Sequence, residues 1–519
     1  MAKQVGTNRH KRRSGQREAK AAESSTAPVA LKELVTADIV GIGHEGEGVG
    51  RVSGFTLFIP GALPGERVRA QVSGLKKQYG FARLLDVLEA SPDRVEPPCP
   101  VYDACGGCQL QHLSYEAQLV MKRRLVADNL QRIGKLQVAL DGAGGFAGGS
   151  DDGSAGADVS RGEGVNGEPS EAIVVYPTIG MADPWRYRNK VQVPIGESEG
   201  GLVGGFYATG SHRIVDSDRC LIRGEVADDV VRLVKQLAGE CGIRAFDEGK
   251  AQAGLRHVII KTGSRTGETM IVLVTSAGKL PGLSRLAQRI AESVPGVASV
   301  IRSISDGAEG SVMGADATVL WGRDRIYDAI GNVHFAISAH SFYQVNPLQT
   351  EALYGKALEY ADLTGGETVI DAYCGVGTIS LFLAQRAKTV YGVEIVPEAI
   401  DDARANAELN GIGNVRFEAG RAEDVIPAWR KQGIRADVIV VDPPRKGCDA
   451  ALLATIVEMR PERIVYVSCN PSTLARDVRA LVDGGYHAVA AQPVDMFPWT
   501  AHVEAVVSLH RIDQSLGDA

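Results

Sequence analysis

The feature that most constrains the fold is an alternation within residues 336–519. Short apolar runs (ETVIDAYCG, TVYGVEI, NVRFEAG, ADVIVVDPP and RIVYVSCNP) are separated by amphipathic stretches long enough to be helices. Runs of this kind, each followed by a helical crossover, predict an α/β fold with a doubly wound, Rossmann-like parallel sheet. Ligands of such sheets bind outside the carboxyl ends of the strands. Glu394, Asp442 and Cys469, at the ends of three of these runs, are therefore the first candidates for function.

The chain of 519 residues has room for more than this one domain. Residues 32–92 carry short β-rich runs (ADIVGIG, FTLFIP, RVRAQV) separated by Gly and Pro turns, which predicts a small β-barrel. Residues 93–138 hold a cysteine cluster and a helical stretch, SYEAQLVMKRRLVADNLQRIG. With residues 171–335, where strands are expected near VQVPIG, GGLVGGFY, VIIKT and MIVLVTS, they predict a central α/β domain. Residues 139–170 are rich in Gly, Ser and Asp and read as a flexible insertion. Residues 1–31 read as a disordered basic tail, either an arm touching phosphates or a solubilising segment.

The net charge of −7 does not exclude a nucleic-acid partner, because the charge is unevenly placed. Residues 1–20 are strongly basic, and much of the negative charge sits in the glycine-rich stretch 141–168. No apolar run approaches the ~18–20 residues of a membrane helix. The basic, polar N-terminus has no apolar core of a secretory signal, so a cytoplasmic protein without a membrane partner is expected. Nothing points to an obligate protein partner.

The segment VIDAYCGVGTISLFLA runs from an apolar strand through Gly375 and Gly377 into a helix. Glycine at such a turn lets backbone approach a ligand closely. A dinucleotide fingerprint is incomplete, because Ser380 stands at its third glycine, and there is no phosphate-binding G-K-[ST] loop. Glu394 closes the next strand about 20 residues on, where an acid accepts hydrogen bonds from ribose hydroxyls. The nucleoside of S-adenosylmethionine fits that position; the alternative is that Glu394 caps the helix VPEAIDDARANAEL. Asp442-Pro443-Pro444-Arg445 should border the same pocket. Arg445 replaces the aromatic of the Asn/Asp-Pro-Pro-aromatic motif used on exocyclic amines, which argues against amine methylation.

Cys469 ends the RIVYVSCNP run beside that pocket, well placed for a nucleophile. Carbon 5 of uracil is unreactive towards a methyl donor. Thiolate addition at carbon 6 makes it enolate-like, and a base must then remove the C5 proton so that the thiolate can leave. Glu504, inside the apolar run HVEAVVSLHR, is the candidate base. Burial there would raise its pKa. Taken singly, a solvent-facing Glu and an inert buried Cys are equally compatible with these positions.

Together, GEGVGRV, IPGALPGE, the cysteine cluster, FYQVNP, DAYCGVGT, VDPPRKG, SCNP and DMFPWTAHVE resemble the RNA uracil-C5 methyltransferase family, particularly its bacterial 23S ribosomal RNA branch. The resemblance spans residues 32–138 and 171–511. It implies Cys469 as nucleophile, Glu504 as proton-abstracting base, and Gln344, Tyr373, Glu394 and Asp442 as S-adenosylmethionine contacts. It further implies that the barrel is an RNA-binding TRAM domain and that Arg186, Tyr187 and Arg188 contact RNA. Thr378 departs from relatives with Asn after the second glycine, which leaves a cofactor contact from that side chain in question. The implied substrate is 23S ribosomal RNA, with transfer RNA as the alternative.

Of eight cysteines, Cys99, Cys105 and Cys108 cluster in a way that reads as metal ligation. The resemblance points to Cys220, in HRIVDSDRC, as a fourth ligand. Four thiolates suit a [4Fe–4S] cluster or zinc, and spacing alone leaves both open; the resemblance favours the cluster. Cys241, Cys374 and Cys448 have no assigned role. Three other readings fit less well. A cytosine-C5 methyltransferase would need a second cysteine after Pro in the DPPRKGC loop. A non-catalytic iron–sulfur RNA-binding protein would not need Cys469, Glu504 and the glycine loop together. A radical enzyme would use a Cys-x3-Cys-x2-Cys spacing absent from this cluster.

Overall fold

A computed structural model describes residues 27–141, 172–247, 253–307 and 312–512. Most of the expected basic tail and of the expected Gly/Asp-rich insertion lies outside these residues. Among the described residues no helix is long and apolar enough to cross a membrane.

Residues 27–43 and 47–91 form one compact unit, a closed five-stranded barrel. Its strands are ordered Leu34–Ile42, Gly48–Val52, Phe55–Ile59, Tyr79–Glu89 and Arg67–Leu75. Alternating side chains point inward, and Val35, Ala37, Ile39, Leu57, Ile59, Val68, Ala70 and Val72 fill the interior.

The second unit contains the rest of the described chain and is built on two large sheets and a two-stranded one, Arg325–Ile330 with Val333–Ser338. The central sheet has six strands, in the order Ala317–Gly322, Val297–Ile304, Thr269–Thr275, Leu255–Thr262, Lys190–Ser198 and Gly201–Gly204. Helices Glu225–Glu240 and Leu283–Ser293 cover one face through Val230, Val234, Leu286 and Ile290.

The C-terminal sheet has nine strands. Five are parallel, as the alternation predicts: Val415–Ala419, Thr389–Glu394, Thr368–Ala372, Val438–Val441 and Arg463–Ser468. Glu504–Arg511 then joins antiparallel to Arg463–Ser468, followed by Tyr486–Val494. The sheet ends with two short strands from far earlier in the chain, Ile173–Val175 and Val138–Leu140. Helix Tyr115–Arg132 packs Val126 and Leu130 against Leu474 and Val478 of helix Pro471–Asp483. Residues 115–138 and 173–175, expected in the central domain, and residues 139–140, expected in the flexible insertion, thus cover one face and one edge of the C-terminal sheet. The reason is tertiary: three-residue strands have no periodicity of their own, and Ile173–Val175 finds its partner strand, Tyr486–Val494, some 300 residues away.

Candidate active site

Apart from Gln344, which precedes helix Pro347–Ala361, the expected site residues of the C-terminal domain sit at a strand end or in the turn after it. Thr368–Ala372 gives way to Tyr373 in the left-handed region (φ 67°), then Gly375 (φ 55°) and Gly377 (φ 83°), where helix Thr378–Ala384 begins. A non-glycine residue with such a φ is costly and marks a turn held by its surroundings. The φ of Gly377 favours glycine, and a Cβ there would also lie 3.0 Å from the Phe417 ring, a tight contact. A Cβ on Gly375 would meet no heavy atom within 4 Å; the backbone lies bare along the cleft there.

Glu394 turns back onto this loop. It accepts a hydrogen bond from the Gly375 N–H (3.3 Å) and one from the Val396 N–H (3.0 Å), at the start of helix Pro397–Leu409. It therefore caps the following turn and also faces the cleft. Two Asn-Pro pairs set the remaining walls by the same local chemistry. Asn470 accepts from Ser472 N–H and Asn346 from Gln349 N–H, each with Pro in the first turn of its helix. The first cap turns the chain immediately after Cys469, and the second fixes the segment carrying Gln344.

Gln344, Tyr373, Gly375, Glu394, Asp442, Cys469 and Glu504 all line one cleft. Gly377 does not; it shapes the cleft from behind. Thr378 is occupied locally, its hydroxyl accepting from Tyr354 Oη (3.1 Å). Phe342, Arg445, Phe497 and His502 also line the cleft; they lie inside recognised motifs, yet nothing in their spacing set them apart.

The nucleophile and base candidates occupy neighbouring strands. Ser468 pairs with Ala505, so Cys469 and Glu504 lie at adjacent positions of one antiparallel ladder. Glu504 is 4 % exposed, because its strand is covered on both faces. Burial, with a contribution from Asp442, lifts its carboxyl to about 8, while Arg445 acts in the opposite direction. Burial also raises Asp442 to about 6. The Cys469 thiol rises to about 11 through burial and the nearby Glu504 and Asp442, again opposed by Arg445. The backbone of Arg445, which lines the same cleft, is fixed by its carbonyl, which accepts from Asn470 Nδ2 (3.0 Å) and Thr473 Oγ1 (3.2 Å). The site thus pairs a nucleophile with a carboxyl of raised basicity and a cation that favours ionisation of both.

The loop before Glu504, residues 495–503, is fixed by a buried ion pair. Lys122 Nζ meets Asp495 Oδ1 at 2.5 Å with neither side chain exposed, and Tyr115 Oη donates to Asp495 Oδ2 (2.8 Å). Burial lowers the Lys122 pKa, and Asp495 counters it. Lys122→Met leaves the carboxylate buried without its partner and is expected to cost about 3–5 kcal/mol, measured by chemical denaturation.

The four clustered thiols come together as well. Cys99, Cys105, Cys108 and Cys220 line a single cavity whose other walls include Val101, Phe206 and Ile222. The Gly107 N–H donates to Cys105 Sγ at 3.4 Å. Burial pushes Cys108 up to about 12 and raises Cys105 and Cys220, and neighbouring thiols add to the shift at Cys105 and Cys108. Among the described residues no set of three or more His, Cys, Asp or Glu side chains forms a preformed cage for a metal ion.

Within the WRYRNK segment, Tyr187 departs from expectation. Tyr187 is buried and donates to the Pro498 carbonyl (3.2 Å), so it presents no surface to RNA. Arg186 pairs with Asp228 (3.2 Å) and Glu225 (3.5 Å). Arg188 lies 5.9 Å from the centroid of the cleft residue Phe497.

Comparison with known proteins agrees with this geometry. The tRNA (Uracil-5-)-methyltransferase family model matches residues 328–512, and the TRAM domain model matches residues 32–85. An RNA methyltransferase of Halalkalibacterium halodurans, described as uncharacterised, is 56% identical over 93% of this chain and 98% of its own length. A similarly described protein of Listeria monocytogenes is 49% identical over 92% of this chain and 97% of its own. Among solved structures, the tRNA (uracil-54, C5)-methyltransferase of Pyrococcus abyssi, in complex with S-adenosyl-L-homocysteine, is 27% identical with a TM-score of 0.67. That likeness covers 91% of this chain and 99% of the archaeal one.

Proposed function

Since this chain belongs to the RNA uracil-C5 methyltransferase family, we propose that it methylates carbon 5 of a uridine in 23S ribosomal RNA through a covalent Cys469–uracil intermediate. The observation that carries the reading is the ladder register that sets Cys469 beside Glu504 within one cleft.

S-adenosylmethionine supplies an electrophilic methyl group when bound. The cleft suits it through the bare backbone at Gly375 and the carboxylates of Glu394 and Asp442, with Gln344 and Tyr373 as further contacts. The Cys469 thiolate forms a bond to uracil C6, and the electrons of the C5–C6 double bond move into an enolate. C5 would then take the sulfonium's methyl group, with the S–CH3 electron pair staying on sulfur so that S-adenosylhomocysteine is the leaving group. Glu504 then accepts the C5 proton, the double bond returns and the C6–S bond breaks, which releases the thiolate. A carboxyl near 8 is a stronger base than an ordinary glutamate and still ionises close to neutral pH.

Cys99, Cys105, Cys108 and Cys220 are proposed to hold a [4Fe–4S] cluster. Four soft donors around one largely apolar cavity, with an N–H directed at a thiol sulfur, suit such a group. Methyl transfer needs no electron, so its role is structural. Iron and acid-labile sulfide in the purified protein support the cluster, and zinc alone overturns it. The barrel is proposed to bind RNA, and the substrate places the enzyme's work in the cytoplasm.

The ribosomal assignment rests on the barrel combined with the four cysteines. The likeness to the archaeal enzyme named for tRNA favours transfer RNA as a second reading. Mapping 5-methyluridine in a deletion strain separates them. Loss of a mark from 23S RNA alone supports the first, loss from tRNA alone supports the second, and loss of neither overturns both.

A further inference from the structure

We infer that the cysteine-bearing loop positions the catalytic base, acting through Trp499. The inference rests on Glu504 being that base and adds a relay to it.

Glu504 is anchored on one side by its ladder with the Cys469 strand and on the other by the pair Val494↔Glu504. Between Val494 and Glu504 the chain leaves the sheet and passes through Trp499, whose φ is 68°. A bulky residue holds that conformation only where its surroundings over-determine it. They do so here on every side. The Trp499 carbonyl accepts from both the Gln109 and Leu110 N–H groups, each at 3.0 Å. Gln109 directly follows Cys108, and its side chain folds back to donate to the Gly106 carbonyl (3.0 Å). The Trp499 N–H donates to Gln118 Oε1 (3.2 Å) and its indole N–H to the Pro184 carbonyl (3.0 Å). The indole stacks on Trp185 with centroids 4.0 Å apart, in a buried cluster against which Cys108 and Cys220 pack.

Trp499 therefore joins the buried cluster against which Cys108 and Cys220 pack to the loop that delivers Phe497, His502 and Glu504 to the cleft. A shift of the Cys105–Cys108 loop has no slack through which to dissipate, because two consecutive N–H groups grip one carbonyl. Trp499 is a positioning residue. It touches none of the reacting atoms, and a displacement of Glu504 by about 1 Å is enough to slow proton removal by up to about a hundredfold.

Trp185 provides the test, since removing its half-buried ring unseats the Trp499 indole and leaves every backbone bond in place. Full-length wild type, Trp185→Ala, Trp499→Phe and Glu504→Gln are compared with a uridine-containing RNA under single turnover, with hydrogen exchange followed over residues 495–504. Trp185→Ala should lose amide protection there and release its RNA adduct roughly tenfold or more slowly, with KM for RNA within about twofold of wild type. Trp499→Phe, which keeps an aromatic ring to stack, should fall between that variant and wild type. Wild-type adduct release in a Trp185→Ala protein that has lost protection over 495–504 overturns the inference, as does unchanged protection with unchanged release. If Trp185→Ala fails to fold, Trp499→Phe decides by the same two readouts. Absence of an adduct in Glu504→Gln instead removes the base assignment, a failure distinct from that of the relay.

Discussion

Cys469→Ala should abolish turnover, lowering it by at least about four orders of magnitude, while RNA affinity stays within about twofold. The side chain directly follows strand Arg463–Ser468 and is only half-buried. Asn470 and Pro471 start the next helix without it. The loss is then one of chemistry: without sulfur addition C5 keeps its aromatic-like electron distribution and accepts no methyl group. The paired measurement is RNA containing 5-fluorouridine. Fluorine replaces the proton that Glu504 would remove, so wild type should be trapped as a covalent complex in the presence of donor, and Cys469→Ala should not. Near-normal turnover in the variant, or failure of wild type to be trapped, would end the covalent reading.

Glu504→Gln should have a different signature. Its amide has nearly the shape of a protonated glutamate, the form burial already favours below about pH 8. Addition and methylation should proceed, and release should slow by about two to four orders of magnitude. A shifted RNA–protein band should therefore build up on denaturing gels. In wild type the sign of the pH effect follows from the raised carboxyl: acidification protonates the base, so adduct decay should slow below about 8 and level off above it. A pH-independent decay, or a folded Glu504→Gln protein that forms no band, would refute the role.

Much of the chemistry was legible because of where strands end. Five parallel strands could be read from continuous apolar runs, and Asp442, Cys469 and Glu394 could be placed at the cleft from the rule for such sheets. Glu504 shows where pattern reasoning stops. Alternation suggested a carboxylate facing water, but its strand is interior to the sheet and buried on both faces, which no local period reveals. Cys220 could be joined to the other thiols only through resemblance, since over a hundred residues separate it from Cys108. Tyr187 looked like a recognition residue, yet its hydroxyl serves the 495–503 loop. Trp499 was visible only as part of a motif, because its importance lies in what grips it.

The pairing of Ile173–Val175 with the edge of Tyr486–Val494 has a consequence for dissecting the protein. A fragment starting near residue 328, where the methyltransferase family match begins, would lack these strands and helix Tyr115–Arg132. It would expose Ala490 and Ala491 on an unsealed border, and Asp495 would lose its cation. Such a truncation should clump on expression even though it carries the whole reactive centre, and the shortest well-behaved piece must begin ahead of Tyr115.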